Sequence, residues 1–405
     1  MVTFELLGLY IAFGGSVIFV LLFGGLPAFH GTLLGTVHWH LTEGLSKASW
    51  TALRRTAGAQ GTSCCEAFIA RQCGGTSPVL QVLYTLLLAG GWFLYCRELF
   101  CFLPQPHAPI WHQYTGAAVL GACLAAFVKA CLSDPGIITP ENYAKHAALY
   151  AHDEVVGQEN QQCLVCMWKR PARSKHCSIT GRCVARYDHY CPWVGRTIGI
   201  LNLRWFMLFL LLNILLCSYG AGLGVVLMRS VAGQRAQHVM FREQATGRLL
   251  PVSSQPWVLL QWTVQKYPVP VALVIFLTVA LVLVSAFFMY HLVLILSGMT
   301  SYESYKWTMM YKMRAVEEEA EQIAKAAAAL GTTDVPCEEP AWSATGVWRA
   351  LRGSRKVQGM PANIYDRGPL RNLQDALAPP AWASQALMAS GSEAKQSNTG
   401  SKKAI

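Results

Sequence analysis

Apolar stretches as long as a bilayer is thick leave this chain few folds to choose from. A hydrocarbon core of about 30 Å needs about 20 apolar residues in one helix. Windows near 3–26, 78–96, 115–132, 205–228 and 270–296 meet that requirement. The charged residues cluster between them, and only 14% of the 405 residues are charged against 53% hydrophobic. That is too few charges for an ordinary soluble domain. Backbone in lipid must satisfy its own hydrogen bonds, so the spans are expected as helices. The expected fold is an all-α polytopic membrane protein with about five transmembrane helices. A small transporter would want ionisable groups facing one another inside the spans. The spans offer chiefly Lys129 and His291, near their ends, so that reading is set aside.

The opening "MVTFE" has Glu5 and no Lys or Arg before its apolar run, unlike the basic start of a secretory signal, so it is retained as a span. The same lack of positive charge places this terminus away from the cytosol, and five spans then leave the C-terminus cytosolic. The loop 27–77 carries Lys47, Arg54, Arg55 and Arg71, and 133–204 is rich in Lys and Arg, which suits a cytosolic face. Lys129 can snorkel to that face. The loop 229–269, assigned to the lumen, runs against the bias with Arg229, Arg235, Arg242, Arg248 and Lys266. The expected organisation is a first transmembrane helix and cytosolic loop (1–77), a second and third span (78–132) and a small cytosolic cysteine-rich domain (133–204). A fourth and fifth span with a lumenal loop (205–299) and a cytosolic tail (300–405) follow. Residues 309–330 read as a helix ending before Gly331, and the last stretch is polar and disordered in expectation.

Of fourteen cysteines, five lie between 163 and 191. Cys96, Cys123, Cys131 and Cys217 lie in or near spans, where a thiol acts as a small apolar group. Cys96 and Cys101 bracket a lumenal edge and have the option of pairing. Cys64, Cys65, Cys73 and Cys337 read as cytosolic thiols, with acylation as the other reading of Cys64, Cys65 and Cys337. Cys163-x2-Cys166 is a knuckle supplying two thiolates, and His176 and Cys183 complete a Cys3His set of the kind that holds zinc. Such a site folds a segment that has little apolar core. Further on, Asp188-His189-x-Cys191 places a carboxylate, an imidazole and a thiol within four residues. A thiol of pKa about 8.5 needs a base to become a nucleophile. His189 can take its proton, and Asp188 can fix the tautomer.

The insert resembles the cysteine-rich domain of the DHHC-type protein S-acyltransferases, or palmitoyltransferases. The resemblance rests on Cys163, Cys166, Arg170-Pro171-x-Arg173, His176, Cys177, Cys183, Asp188, His189, Cys191, Trp193, Ile198-Gly199, Asn202 and Phe206. Outside the insert, "DPG" (134–136), "TSYE" (300–303) and "NIYDRGPLRNL" (363–373) are similar to the family's flanking motifs, and the nearest resemblance is to its animal type-4 and yeast spore-wall-linked branches.

The resemblance implies a protein S-palmitoyltransferase. It would transfer a long-chain acyl group from palmitoyl-CoA to cysteines of cytosol-facing, membrane-associated proteins, through an acyl-enzyme on Cys191 with His189 and Asp188. The alternative of the same fold is a non-catalytic zinc-containing membrane adaptor. The family binds two zincs. The first set maps to Cys163, Cys166, His176 and Cys183. The second maps to Cys177, Thr180, Tyr190 and Thr197, where one thiol remains, so one zinc is expected. By the same match Arg170, Arg173 and Lys175 would meet the CoA phosphates, with lipid headgroups as the other reading of these charges. Trp193 would line the acyl entrance, and Ser301 would hydrogen-bond Asp188. Asn202, Asn363 and Asn372 would support the fold. Partners expected are acyl-CoA, protein thiols and the bilayer, with no nucleic acid. The ending Lys402-Lys403-Ala404-Ile405 resembles a dilysine retrieval signal, implying the endoplasmic reticulum or Golgi membrane.

Overall fold

The computed structural model describes residues 78–153, 155–156, 161–243, 247–330, 361–378 and 380, together with 32–40 and positions 16, 19, 20, 24 and 29. The expected span near 3–26 and the lysine pair at the C-terminus fall largely or wholly outside the described residues, as do Cys64, Cys65, Cys73 and Cys337. A short helix, α1 (Leu33–Trp39), is capped by Thr32, which accepts from the Gly35 amide at 3.3 Å. From residue 78 onward the chain divides into two units: residues up to Pro135 with Tyr190–Leu292, and Gly136–His189 with the chain from Val293.

Among the described residues four helices are long and apolar enough to cross a membrane: Val79–Phe102, His112–Leu132, Leu203–Ala236 and Pro268–Leu296. The first comprises α2 (Val79–Glu98) and a 3-10 turn, Phe100–Phe102. The second is α3 (His112–Leu132), and the short α4 (Tyr143–Ala147) follows it. The third is α5 (Leu203–Ala236), longer than the apolar window 205–228 because a less apolar last turn continues it. Beyond it stand a hairpin of β5 (Met240–Arg242) and β6 (Leu249–Pro251) and the helix α6 (Pro256–Lys266). The fourth span is α7 (Pro268–Leu296). The protein is thus a mostly helical, multi-pass membrane protein. Strands, absent from the all-α expectation, are confined to short hairpins.

The membrane unit is held by shape. Tyr84 of α2 packs its ring 4.4 Å from Phe127 of α3 and 5.5 Å from Phe209 of α5, while its hydroxyl donates to Asn213 at 3.1 Å. The Tyr95 hydroxyl reaches the Gly220 carbonyl at 2.8 Å, an acceptor exposed by the lack of a side chain nearby. Gly220 and Gly224, one turn apart, let α7 approach α5. A Cβ on Gly224 would lie 2.5 Å from the Val274 methyl, and one on Gly220 would lie 3.0 Å from Leu277. Close helix contact through small residues is the usual route to packing in lipid, where burial itself gives no drive.

In the second unit β1 (Lys175–Cys177) pairs antiparallel with β2 (Arg182–Val184). A further strand pair, β3 (His189–Cys191) and β4 (Arg196–Ile198), begins where the chain passes back into the first unit and leads into α5. Helix α8 runs over Ser301–Leu330, starting earlier than the expected 309. Its start is fixed by a reciprocal cap: the Thr300 amide donates to Glu303 at 2.9 Å, and the Glu303 amide to the Thr300 hydroxyl at 3.2 Å. That Thr-x-x-Glu box satisfies two amides which would otherwise lack partners. The last described helix is α9 (Pro369–Leu377).

Candidate active site and metal centre

Cys163 and Cys166 sit in a tight knuckle where the Met167 amide returns to the Cys163 carbonyl at 2.8 Å and Met167 takes a left-handed φ of 63°. On the hairpin, His176 stands directly opposite Cys183, so the two side chains share a face. Cys166 Sγ lies 3.3 Å from His176 Nδ1, and Cys183 Sγ lies 3.7 Å from both Cys166 Sγ and His176 Nδ1. All four ligand atoms lie within 4.8 Å of one another. A zinc ion with sulfurs about 2.3 Å away has tetrahedral S–S edges of about 3.8 Å, so this donor set fits zinc in chemistry and size. Burial first, and then the neighbouring thiols, push the Cys183 thiol up. A central cation holds such sulfurs as thiolates instead.

Asp188 is buried and engaged on both oxygens. Its Oδ2 is 2.6 Å from His189 Nδ1 and accepts from the Ser301 hydroxyl at 3.3 Å, while Oδ1 accepts from the Ser301 amide at 2.7 Å. An ionised carboxylate only accepts, so His189 carries its proton on Nδ1. The Ser301 amide is the first of α8, and the positive end of that helix therefore faces Asp188. Cys191 is buried and follows His189 by two residues on β3, so the two share a face of that strand. The turn after Cys191 closes with the Gly195 amide on the Cys191 carbonyl at 2.8 Å. Gly195 has φ 66°, a left-handed conformation that favours glycine, and the Gln81 side chain packs against it. Trp193, in that turn, is edge-on to Tyr84 with ring centres 6.5 Å apart.

Arg173 corrects an expectation. It does not face solvent phosphates: its side chain is 3% exposed and forks onto Glu303, with Nε to Oε1 at 2.7 Å and NH2 to Oε2 at 2.6 Å. NH2 also donates to the Gly298 carbonyl at 2.9 Å, and the rings of Tyr365 and Tyr150 flank the guanidinium at 4.4 and 4.9 Å. Burial, the largest single influence, works against its charge, but Glu303 together with Tyr150 and Tyr365 raises its pKa on balance. Lys175 remains half-buried over Tyr302 and Tyr187, at 4.3 and 4.9 Å. Its pKa is lowered by burial first, then by Lys306 and Arg170, and that of Lys306 is lowered by burial and Arg170. Arg170, Lys175 and Lys306 therefore form a cationic group. Lys306 is a member the sequence reading missed; its signal is the i,i+4 step from Tyr302 on α8.

Of the second family ligand set, Cys177 and Thr197 are buried, Thr180 lies in the β1–β2 turn and Tyr190 in β3. The Tyr187 hydroxyl bonds the Cys177 sulfur, and burial and that sulfur push its pKa up. Asn202 accepts from the Gly199 amide at 2.8 Å and donates to the Thr197 carbonyl at 2.9 Å. Asn363 donates to the Ser297 carbonyl at 3.1 Å, and Asn372 to that of Leu296 at 2.9 Å. Both asparagines thus satisfy carbonyls that the end of α7 leaves without amides. Cys96 and Cys101 are free thiols, and no disulfide occurs among the described cysteines.

A multi-pass membrane protein with a Cys3His tetrad and an Asp–His pair beside a buried cysteine narrows the class, and comparison with known proteins agrees. The model of the DHHC palmitoyltransferase family matches residues 157–308. Palmitoyltransferase SWF1 of Yarrowia lipolytica is 31% identical over 300 residues, covering 71% of this chain and 73% of that protein. Palmitoyltransferase SWF1 of Neurospora crassa is 28% identical over 399 residues, 89% of each chain. Palmitoyltransferase ZDHHC4 of Mus musculus is 40% identical over 119 residues, 29% of this chain and 33% of that protein. The chain belongs to the DHHC palmitoyltransferase family.

Proposed function

We propose that Cys191 carries the acyl-enzyme of this protein S-palmitoyltransferase, with His189 as its base and Asp188 as the group that orients the base. The observation supporting this most strongly is Asp188 clamped by Ser301 while its other contact fixes His189 Nδ1. Nε2 is then the nitrogen that takes the Cys191 proton. The thiolate attacks the acyl-CoA carbonyl, a new thioester bond forms to Cys191 sulfur, and the CoA sulfur leaves with the proton from the imidazolium. In the second half a substrate cysteine gives its proton to His189 and takes the acyl group, and Cys191 leaves. Each half exchanges one thioester for another, so catalysis is mainly positioning. Burying each CH2 is worth about 0.8 kcal/mol, which favours seating the acyl chain among the spans, with Trp193 at the entrance.

Arg170, Lys175 and Lys306 are the cations proposed to meet the CoA phosphates, with Arg173 in a supporting role beneath them. One zinc on Cys163, Cys166, His176 and Cys183 would brace the peptide that presents the catalytic residues; it takes no part in the chemistry. The organisation we propose has five spans, with the first near 3–26, the cysteine-rich domain 133–204 between the third and fourth, and the tail 300–405 cytosolic. The lysines at 402 and 403 would return the protein to the endoplasmic reticulum, and changing both to serine should release it to later membranes.

The decisive experiment for the mechanism is labelling with a clickable fatty acid. Wild type should form a hydroxylamine-sensitive acyl-enzyme, and Cys191→Ser should not. Equal labelling of the two would support the adaptor reading or a different nucleophile. Lys306→Ala should raise KM for palmitoyl-CoA while leaving thermal stability near wild type.

A further inference from the structure

Where α3 ends and α5 begins, two cations gather on one tryptophan ring. Lys129 Nζ lies 5.2 Å from the ring centre of Trp205, and the Arg204 guanidinium lies 5.1 Å from the same ring. Arg196, the first residue of β4, donates through Nε to the Cys131 carbonyl near the end of α3. The sequence holds no Asp or Glu from Leu99 to Ser133 or from His189 to Arg242, and Asp134 is the first acid beyond α3. Arg204 Nε is buried without a hydrogen-bond partner among the described residues.

Beside this cluster α3 presents an open groove of about 490 Å3, lined by Leu124, Ala125, Val128, Lys129 and Leu132. Its lining is apolar, and Lys129 is its one charged residue. An apolar groove along a membrane span, headed by cations at the helix end, matches one kind of molecule in both halves. An acyl chain fits along Leu124 and Val128, and a phosphate suits Lys129 and Arg204 through their charge and forked donors.

We infer that this site binds a phospholipid with a net negative headgroup, separately from the Arg170–Lys175–Lys306 group proposed for CoA. The inference uses only the membrane character of the spans and does not depend on Cys191 chemistry. Native mass spectrometry can weigh lipids retained by Cys191→Ser protein, offered phosphatidylserine against phosphatidylcholine. The protein should prefer phosphatidylserine. Lys129→Ala or Arg204→Ala should each cut that preference roughly fivefold, and both together about thirtyfold, taking about 1 kcal/mol per cation. Leu124→Trp fills the groove without touching charge and should displace the lipid too, which guards against misfolding of the double variant. In otherwise wild-type protein these changes should leave KM for palmitoyl-CoA alone. Unchanged lipid preference in the charge and groove variants would overturn the inference. So would a raised KM for palmitoyl-CoA with lipid retention intact, which would assign these cations to CoA.

Discussion

The spans and the unit that carries the Cys3His cluster are held together by different means. Around Tyr84, Phe127 and Phe209, and where Gly224 meets Val274, apolar surfaces fit closely and polar groups are few. In the other unit charged and polar groups are buried beside apolar ones such as Val184 and Ile138, and each has a specific partner: Arg173 with Glu303, Asp188 with Ser301, and Asn372 on the end of α7. A short segment rich in polar residues cannot bury enough apolar surface to order itself, and it uses specific partners in place of area. The lesson is where each unit is brittle. Changes of shape should damage the spans, and loss of a single partner should damage the other unit.

The largest effect should come from the metal ligands. Cys183→Ser, or stripping with a strong chelator, should unfold the unit that carries the Cys3His cluster and abolish acyl-enzyme formation, and elemental analysis of wild type should give about one zinc per chain. Two zincs would show that Cys177 still takes part in a second site. Next is the buried ion pair. Glu303→Gln leaves Arg173 charged and unmatched, which should cost about 3–5 kcal/mol by thermal unfolding. Replacing both partners by apolar residues should recover part of that loss; no recovery would mean that the Thr300–Glu303 cap, not the charge, is what matters.

Smaller effects sharpen the contrast. Gly224→Ala should force α7 from α5 and cost about 1–3 kcal/mol, with KM for palmitoyl-CoA nearly unchanged unless the acyl cavity shifts. Ser301→Ala removes the longer of the two Ser301 contacts to Asp188 and keeps the amide. It should cost about 0.5–1.5 kcal/mol, seen as a roughly two- to tenfold slower acyl-enzyme formation. A larger loss than Glu303→Gln would reverse the ranking.

The same division governs how much could be read from the sequence. The spans from 79 onward were legible because a run of about 20 apolar residues has few alternatives to a membrane helix. The Cys3His cluster was legible because its four residues stand at metal-ligand spacings along one stretch of chain. Arg173 was not, since nothing local says whether an arginine three residues from another faces water or turns inward. Its direction depends on Glu303, 130 positions away. The start of α8 was missed for a nearer reason. "TSYE" was read as a family motif facing Asp188, and its equal fit to a helix cap was overlooked, though Thr300 and Glu303 perform that task while Ser301 performs the other. Lys306 stayed hidden because one lysine on a charged helix looks like any other until Arg170 and Lys175 are found beside it.

The most direct measurement is peptide mapping of wild-type protein quenched during turnover with palmitoyl-CoA. The account predicts a palmitoyl thioester on the peptide containing Cys191 and nowhere else at comparable occupancy. Acylation that turns over on Cys177 or another thiol, with Cys191 unmodified throughout, would contradict it.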